Sequence, residues 1–524
     1  MSIHEELLSK RTNGILLPVS AMKTDTDWGV GDFSSLCEWV QFLGSLGTKI
    51  VQILPLQETA PGQNCPYSAL SAFAIDPIYI DVSAVREVQL SPRARKTVQD
   101  MQGEIVAWRM SHKTLFKVIK EAKLNVLWLA YQFFLENDFS RSTPQAQAFE
   151  AYCSANSSWL RNYSIFRALK EFYHWKTWKD WPEGLRDFQE RAVSEFELKY
   201  SEYVCFFAYV QWQADLQLRA AKACAKEAGV YLFGDIPFGT NLDSAEVWGA
   251  RENFRLDLSV GAPPDQFSEK GQSWGLPAYN WEYMQAHDFD LWRAKIRRAV
   301  ELYDIFRLDH LVGFFRTYVF EQGSEQGAFD ITDEQAQIDR GYKFLRMVLD
   351  SARGALPVGE DLGVIPDFVR RMLVDLKIPG YKVIRWERED NGYYREPRNY
   401  PVVSLATTST HDTDTLREWW QTQPQWERAN IWEMISAQKT NGNVPFNLDT
   451  QRAILSRVLT SASAITMFSW QDIIGTLDRI NTPGTMGDEN WTYRSAYAPQ
   501  EAAAVYGPQL EMYKELLKET GRAV

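Results

Sequence analysis

The chain has 524 residues, 45% hydrophobic and 24% charged, which supplies a buried core and excludes both a disordered tail and a disulfide-stapled miniprotein. Its formal charge of −12, with no long Lys/Arg cluster, removes the main driving force for phosphate-backbone binding, so nucleic acid is excluded as a partner. Five cysteines (Cys37, Cys65, Cys153, Cys205, Cys224) form no C-x-x-C pair and are odd in number, which points to a reducing compartment and away from disulfides or a zinc knuckle.

The N-terminal text MSIHEELLSKRTNG puts Glu5 and Glu6 where a signal peptide needs positive charge followed by an apolar run. No stretch approaches the ~20 apolar residues of a membrane span. The expectation is a cytoplasmic protein without a membrane partner. GILLPV (14–19) is the first candidate strand. A 3.6-residue period at Phe33, Leu36, Cys37, Val40 and Leu43 follows Asp32 as N-cap, and Gly44 and Gly47 close this helix. KIVQILPL (49–56) then reads as a buried strand stopped by Pro55, giving the repeating unit of a parallel α/β sheet.

Residues 56–228 separate this second strand from the third and turn helical, Trp-rich and charged, as in SSWLRNYSIFRALKEFYHWKTWKDW (157–181). The absence of repeats, low-complexity tracts and Gly/Ser linkers predicts an insertion packed on the main body. A long amphipathic helix ends at Gly229, and VYLFGD (230–235) is the third strand. YDIFRL (303–308), LPVG (356–359), YKVIRW (381–386), PVVSLATT (401–408) and AITMFSW (464–470) complete a set of eight. The predicted fold class is α/β: a (β/α)8 TIM barrel with a large, mainly helical insertion at 56–228 between strands 2 and 3 and further loop insertions, in one elaborated catalytic domain over 1–524.

Catalytic groups of such barrels stand at the C-terminal ends of strands, and here those ends carry Asp235, Asp309, Glu360, Asp412 and Asp472. Any one of them alone is more often a helix N-cap or a rim ion pair; five at one end are harder to explain that way. Arg307 and Asp309, two apart on a strand, point to one face, so the guanidinium would keep Asp309 ionised, as suits a nucleophile. Glu360, followed by Asp361, has an acidic setting that would raise its pKa and suit a general acid. His411 and Asp412 follow TTST, a set of small donors and acceptors fit for polyol recognition. GxSxG and HExxH are both absent and there are six histidines, so the reaction left is one that runs on carboxylates, of which glycosyl transfer is the best-known case. Twenty tryptophans exceed ordinary core needs and suit a ligand with flat apolar faces rimmed by hydroxyls.

RLDH (307–310), VGEDLGVIP (358–366) and STHDTDT (409–415), in this order, resemble the α-amylase superfamily. Further segments, among them RTNGILLPVSA (11–21), WGVGDF (28–33), CPYSALSAFA (65–74), GDIPFGTNLDSAEVW (234–248), APPDQFSEKGQSWGLPAYNW (262–281), INTPGT (480–485) and NW (490–491), are similar to the 4-α-glucanotransferases of glycoside hydrolase family 77, the amylomaltase type. The resemblance implies Asp309 as nucleophile, Glu360 as general acid/base and Asp412 as a third carboxylate gripping the sugar. Arg307, His411 and Asp235 would contact or support the neighbouring subsite, Tyr67 would stack on that ring, and the loop 262–270 would cover the groove. It also implies neither metal nor organic cofactor, and α-1,4-glucans and maltooligosaccharides as partners. Segments of a donor would pass to the 4-hydroxyl of an acceptor glucan or glucose by a retaining double displacement. The alternatives are a retaining α-1,4-glucan hydrolase with the same residues and a non-catalytic glucan-binding protein; the three carboxylates speak against the latter. Trp274 and Tyr279 are the candidates for an acceptor platform, with core packing as their other reading. Val312, Thr413 and Cys65 depart from the family's usual Arg, Asn and Ser, which bears on sugar contacts and not on the reaction.

Overall fold

Eight parallel strands close into a barrel in the computed structural model, which describes residues 2–264, 270–485 and 487–523. They are β1 Thr12–Leu16, β2 Ile50–Gln52, β3 Tyr231–Ile236, β4 Ile305–Leu308, β5 Leu356–Gly359, β6 Gly380–Val383, β7 Ser404–Thr407 and β8 Ile465–Ser469. Each pairs with its neighbours in sequence order and β8 returns to β1, so all eight apolar runs read from the sequence are barrel strands. Period two sorts their side chains. Ile305 packs inside with Ile50, Phe233, Leu356 and Val358, whereas Phe306 and Leu308 join the outer layer beneath the helices. A Cβ on Gly14 would stand 2.4 Å from Met467 Sδ and 2.7 Å from Ile50 O, so only glycine lets β1 approach its neighbours here. At the N-terminal ends of the strands the helix Ile3–Ser9, started by a capping box between Ser2 and Glu5, lays Leu7 against the inner cluster.

Between β2 and β3 the chain runs through helices that include Phe116–Asn137, Pro144–Ala155, Ser157–Phe172 and Glu190–Lys199, and Ser201–Glu227 leads into β3. Their interior is aromatic: Phe134 lies 5.5 Å from Phe149 and 5.3 Å from Tyr209, ring to ring. Buried charge pairs tie these helices to the segment after β2. Arg167 Nε donates to Glu58 Oε1 at 2.9 Å, Tyr163 donates to the other oxygen, and Lys120 Nζ meets Asp76 Oδ2 at 2.6 Å. Removing one partner would strand a buried charge, so each pair fixes these helices against the segment that follows β2.

Two features depart from the sequence reading. Cys37 and Cys224 are joined in a disulfide, contrary to the expectation of none; the other three cysteines are free. They lie 187 residues apart on helices Phe33–Ser45 and Ser201–Glu227, which pack side by side with these Cα atoms 5.7 Å apart, a proximity no local spacing reveals. The second feature is a four-stranded antiparallel sheet in the order 272–279, 254–262, 318–321, 327–329, grown from the loops after β3 and β4. Its longest strand, FRLDLSVGA, alternates apolar and polar residues, the mark of a half-exposed strand, whereas the barrel strands are largely apolar runs.

Candidate active site

The barrel register decides which charges meet. Asp235 on β3 and Arg307 on β4 are direct partners, and Arg307 Nη1 donates to both carboxylate oxygens, at 3.0 and 2.9 Å. Asp309 follows β4 immediately, and its Oδ1 lies 2.8 Å from the same Nη1. On the adjacent strand, Glu360 follows β5 with Oε2 3.8 Å from Arg307 Nη2. One guanidinium thus faces three carboxyl groups; the i, i+2 spacing predicts the Asp309 contact, and the strand register supplies Asp235 and Glu360.

Backbone amides complete the frame. Phe238 N–H donates to Asp309 Oδ2 at 3.2 Å, and Glu360 accepts from His310 N at 2.9 Å and Leu362 N at 3.0 Å. His310 has a left-handed φ of +46°, a strained choice for a non-glycine residue directly after Asp309. Burial is the main force on Glu360 and raises its carboxyl to about 8; Arg307 opposes the rise and Asp309 adds to it. Asp361, to which the sequence reading assigned the rise, is not among the main forces on it. Its carboxylate faces away, accepting from Tyr381 N at 2.6 Å and lying near Arg370 and Lys382.

The third carboxylate comes from the segment after β7. His411 Nε2 lies 3.2 Å from Asp412 Oδ2 and 3.1 Å from the Tyr67 hydroxyl, which donates to Asp235 at 2.7 Å. Burial works to raise Asp412, yet His411 and the Asn481 amide, donating to Oδ1 at 2.7 Å, bring it well below the usual carboxylate range. Tyr67 stacks on the His411 ring at 5.6 Å, and Trp491 closes on both rings at 5.7 and 5.8 Å. Sequence reasoning gave Asn481, Trp491 and the amide of Phe238 no role. The first two sit in the INTPGT and NW segments that carry the family resemblance, while a backbone donor has no side-chain signal to find.

These groups line a groove of about 1800 Å³. Asp309, Glu360, Asp412, Arg307, His411 and Tyr67 are on its wall. Trp274, 38% exposed, stands there too, edge-on to His310 at 5.0 Å, and Trp386, 49% exposed and not anticipated, is a further aromatic of the wall. Asp235 is fully buried and absent from the wall, so it bears on the site through Tyr67 and Arg307. Tyr279 is no platform. It is buried among Phe238, Phe254, Trp281 and Trp292, and its hydroxyl donates to Phe238 O at 2.6 Å. Of the proposed cover at 262–270, residues 265–269 lie outside the described residues.

Asp472 also leaves the set of candidate reacting groups. It is buried and accepts from the Thr408 and Ser409 hydroxyls and Leu416 N, each at 2.6 Å, so it anchors both ends of the segment that carries His411 and Asp412. Asp472→Ala removes the acceptor of three buried donors, of which, among the described residues, only the Ser409 hydroxyl has another in Ser469, and is expected to cost about 2–4 kcal/mol of stability, read as a lower denaturation midpoint. An unchanged midpoint would contradict this anchoring role.

Known proteins are similar to this chain along almost its full length. The sequence profile of the family described as 4-alpha-glucanotransferase, glycoside hydrolase family 77, matches residues 17–498. A 4-alpha-glucanotransferase of Chlamydia pneumoniae is 31% identical over 505 residues, covering 94% of this chain and 92% of the relative. One from Thermus thermophilus is 30% identical over 497 residues, covering 91% and 93%. Among solved structures, the amylomaltase from Streptococcus agalactiae in complex with acarbose superposes with a TM-score of 0.83 at 25% identity, over 98% of this chain and all of that one. The amylomaltase from Corynebacterium glutamicum, at 21% identity and a TM-score of 0.84, covers 98% of this chain and 76% of its own and shares the fold. A profile match that runs from the end of β1 through the other seven barrel strands and the segments that carry Asp309, Glu360 and Asp412 settles the family: the chain belongs to the 4-alpha-glucanotransferases of glycoside hydrolase family 77.

Proposed function

We propose that this 4-alpha-glucanotransferase works by a retaining double displacement with Asp309 as nucleophile and Glu360 as acid/base. The observation that carries the reading is the shared guanidinium: Arg307 contacts Asp309 at 2.8 Å, while Glu360 on the adjacent strand end is raised to about 8. Two carboxyls with such different environments divide the two roles. In the first step an Asp309 oxygen bonds to C1 of the donor sugar, the C1–O4 bond breaks, and the Glu360 proton goes to the departing O4. In the second, the acceptor 4-hydroxyl gives its proton to Glu360, its oxygen bonds to C1, and the Asp309 carboxylate leaves. Asp412, kept ionised by His411 and Asn481, holds sugar hydroxyls and balances the positive charge that develops at C1.

The substrates we assign are α-1,4-glucans and maltooligosaccharides. A groove of about 1800 Å³ exceeds the ~300–1,000 Å³ of ordinary ligand sites and suits a chain of several sugars, with Trp274 and Trp386 as flat apolar faces. The acarbose complex of the streptococcal amylomaltase supports an oligosaccharide ligand. No helix among the described residues is long and apolar enough to cross a membrane. Placement in the cytoplasm is supported by three free thiols and opposed by the Cys37–Cys224 disulfide, a bond disfavoured in reducing compartments.

Incubation with maltotriose tests the reaction. Each transfer breaks one glycosidic bond and makes another, so glucose and longer glucans are expected while the number of reducing ends stays almost constant. An acceptor held in line competes with water because effective molarities reach about 10⁵ M or more against ~55 M. Reducing ends that rise in step with glucose release, at high sugar concentration, would refute transfer and leave the hydrolase reading.

A further inference from the structure

Lys295, on helix Asp290–Leu302, is 4% exposed, and among the described residues it has no carboxylate oxygen within ion-pair distance. A buried ammonium without such a partner is costly, and a residue of the same length without charge would pack more cheaply. Its head group lies 3.7 Å from the centroid of the Trp292 ring, and its Nζ donates to Pro237 O at 3.1 Å. The same peptide unit ends in the Phe238 N–H that donates to Asp309 Oδ2. Ammonium, peptide and carboxylate therefore form one line: Nζ–H to O=C, then N–H to Oδ2. The next carbonyl, that of Phe238, is pinned by the Tyr279 hydroxyl, so the peptide has little freedom to turn away.

We propose that Lys295 is a positioning residue for transfer, acting on Asp309 through the Pro237–Phe238 peptide. The inference rests on Asp309 being the nucleophile. A cation at the carbonyl polarises the amide and strengthens its N–H as a donor. That donor holds Oδ2 in place, and in the glycosyl-enzyme ester it draws charge from the carboxyl group, which must depart as an anion in the second step. The charged groups facing Lys295 are Glu246, from helix Ala245–Gly249, and Asp309 itself, both of which favour its protonated form; Arg298 lies one turn along its own helix. Burial outweighs them and lowers the amine to about 7. The line therefore carries a full charge below that pH and loses it above.

The test uses α-maltosyl fluoride as donor, because fluoride leaves without a proton from Glu360 and the second step then limits turnover. With maltose as acceptor, Lys295→Met is expected to lower kcat about tenfold at pH well below 7, with KM little changed. The ratio of wild-type to variant kcat, in which the titration of Glu360 cancels, should fall towards unity as pH rises through about 7. Lys295→Arg keeps its charge and should hold the low-pH rate at pH well above 7, where the wild type falls below it. A pH-independent ratio, or a loss confined to KM, would make Lys295 a packing residue and overturn the proposal. Should Lys295→Met fail to fold, the Arg variant decides: a pH profile superimposed on the wild type's overturns it equally. Asp309→Asn run in parallel separates the two readings, since its inactivity leaves the nucleophile standing whatever Lys295 does.

Discussion

Asp309→Asn is expected to lower transfer from maltotriose at least ~10⁴-fold while leaving maltooligosaccharide binding within a few-fold of wild type. An amide of the same size fills the same space but cannot form the covalent intermediate through a carboxylate oxygen. The fold should survive the change, because Arg307 keeps its two contacts to Asp235 and is not left as an unpaired buried cation. Calorimetric titration with a maltooligosaccharide separates binding from turnover. Configuration of a trapped product gives a sharper check. With Asp309→Gly and azide, a small nucleophile enters from the vacated face and the glycosyl azide from α-maltosyl fluoride should have inverted configuration. A retained product, or full turnover by the Asn variant, would move the nucleophile to another carboxylate, with Asp412 the first to examine.

What the sequence disclosed and what it hid follow from where each signal resides. Barrel strands buried on both sides appear as short apolar runs, and the acids that follow them mark the end of the barrel that bears the groove, so β3, β4 and β5 with Asp235, Asp309 and Glu360 could be placed by reading alone. Arg307 beside Asp309 needed nothing beyond the two-residue period of a strand. Burial did not show. Asp235, Asp309, Glu360, Asp412 and Asp472 look alike as letters, yet Asp472 anchors a loop, Asp235 lies beneath the site and Glu360 owes its raised pKa to desolvation, not to its neighbour Asp361. Tyr279 and Trp274, five residues apart on one strand, part ways for the same reason, one into the core and one into the groove. The Cys37–Cys224 bond and the Phe238–Asp309 contact join distant segments, and a single chain's text carries no local trace of either.

Glu360→Gln is expected to lower transfer from maltooligosaccharides about 10³-fold, because the departing O4 loses its proton donor. Release of fluoride from α-maltosyl fluoride in a single turnover should be nearly spared, since that leaving group needs no proton. The pH dependence carries the sign. Burial sets the Glu360 carboxyl at about 8, so the free enzyme holds the proton for the first step at neutral pH, and kcat/KM for maltotriose should fall about tenfold per pH unit above that value. The Gln variant has no such limb. Stability offers an independent reading of the same group. Its folded value stands above the ordinary 4.5, so the stability it contributes is fully present below about 4.5 and is lost as pH rises to about 8, the unfolded chain ionising first. The Gln side chain does not ionise and escapes that loss. The melting temperature of Glu360→Gln relative to wild type should therefore climb across this window and level off above it. A difference that stays flat with pH, or a wild-type activity limb that persists in the variant, would show that another group carries the proton.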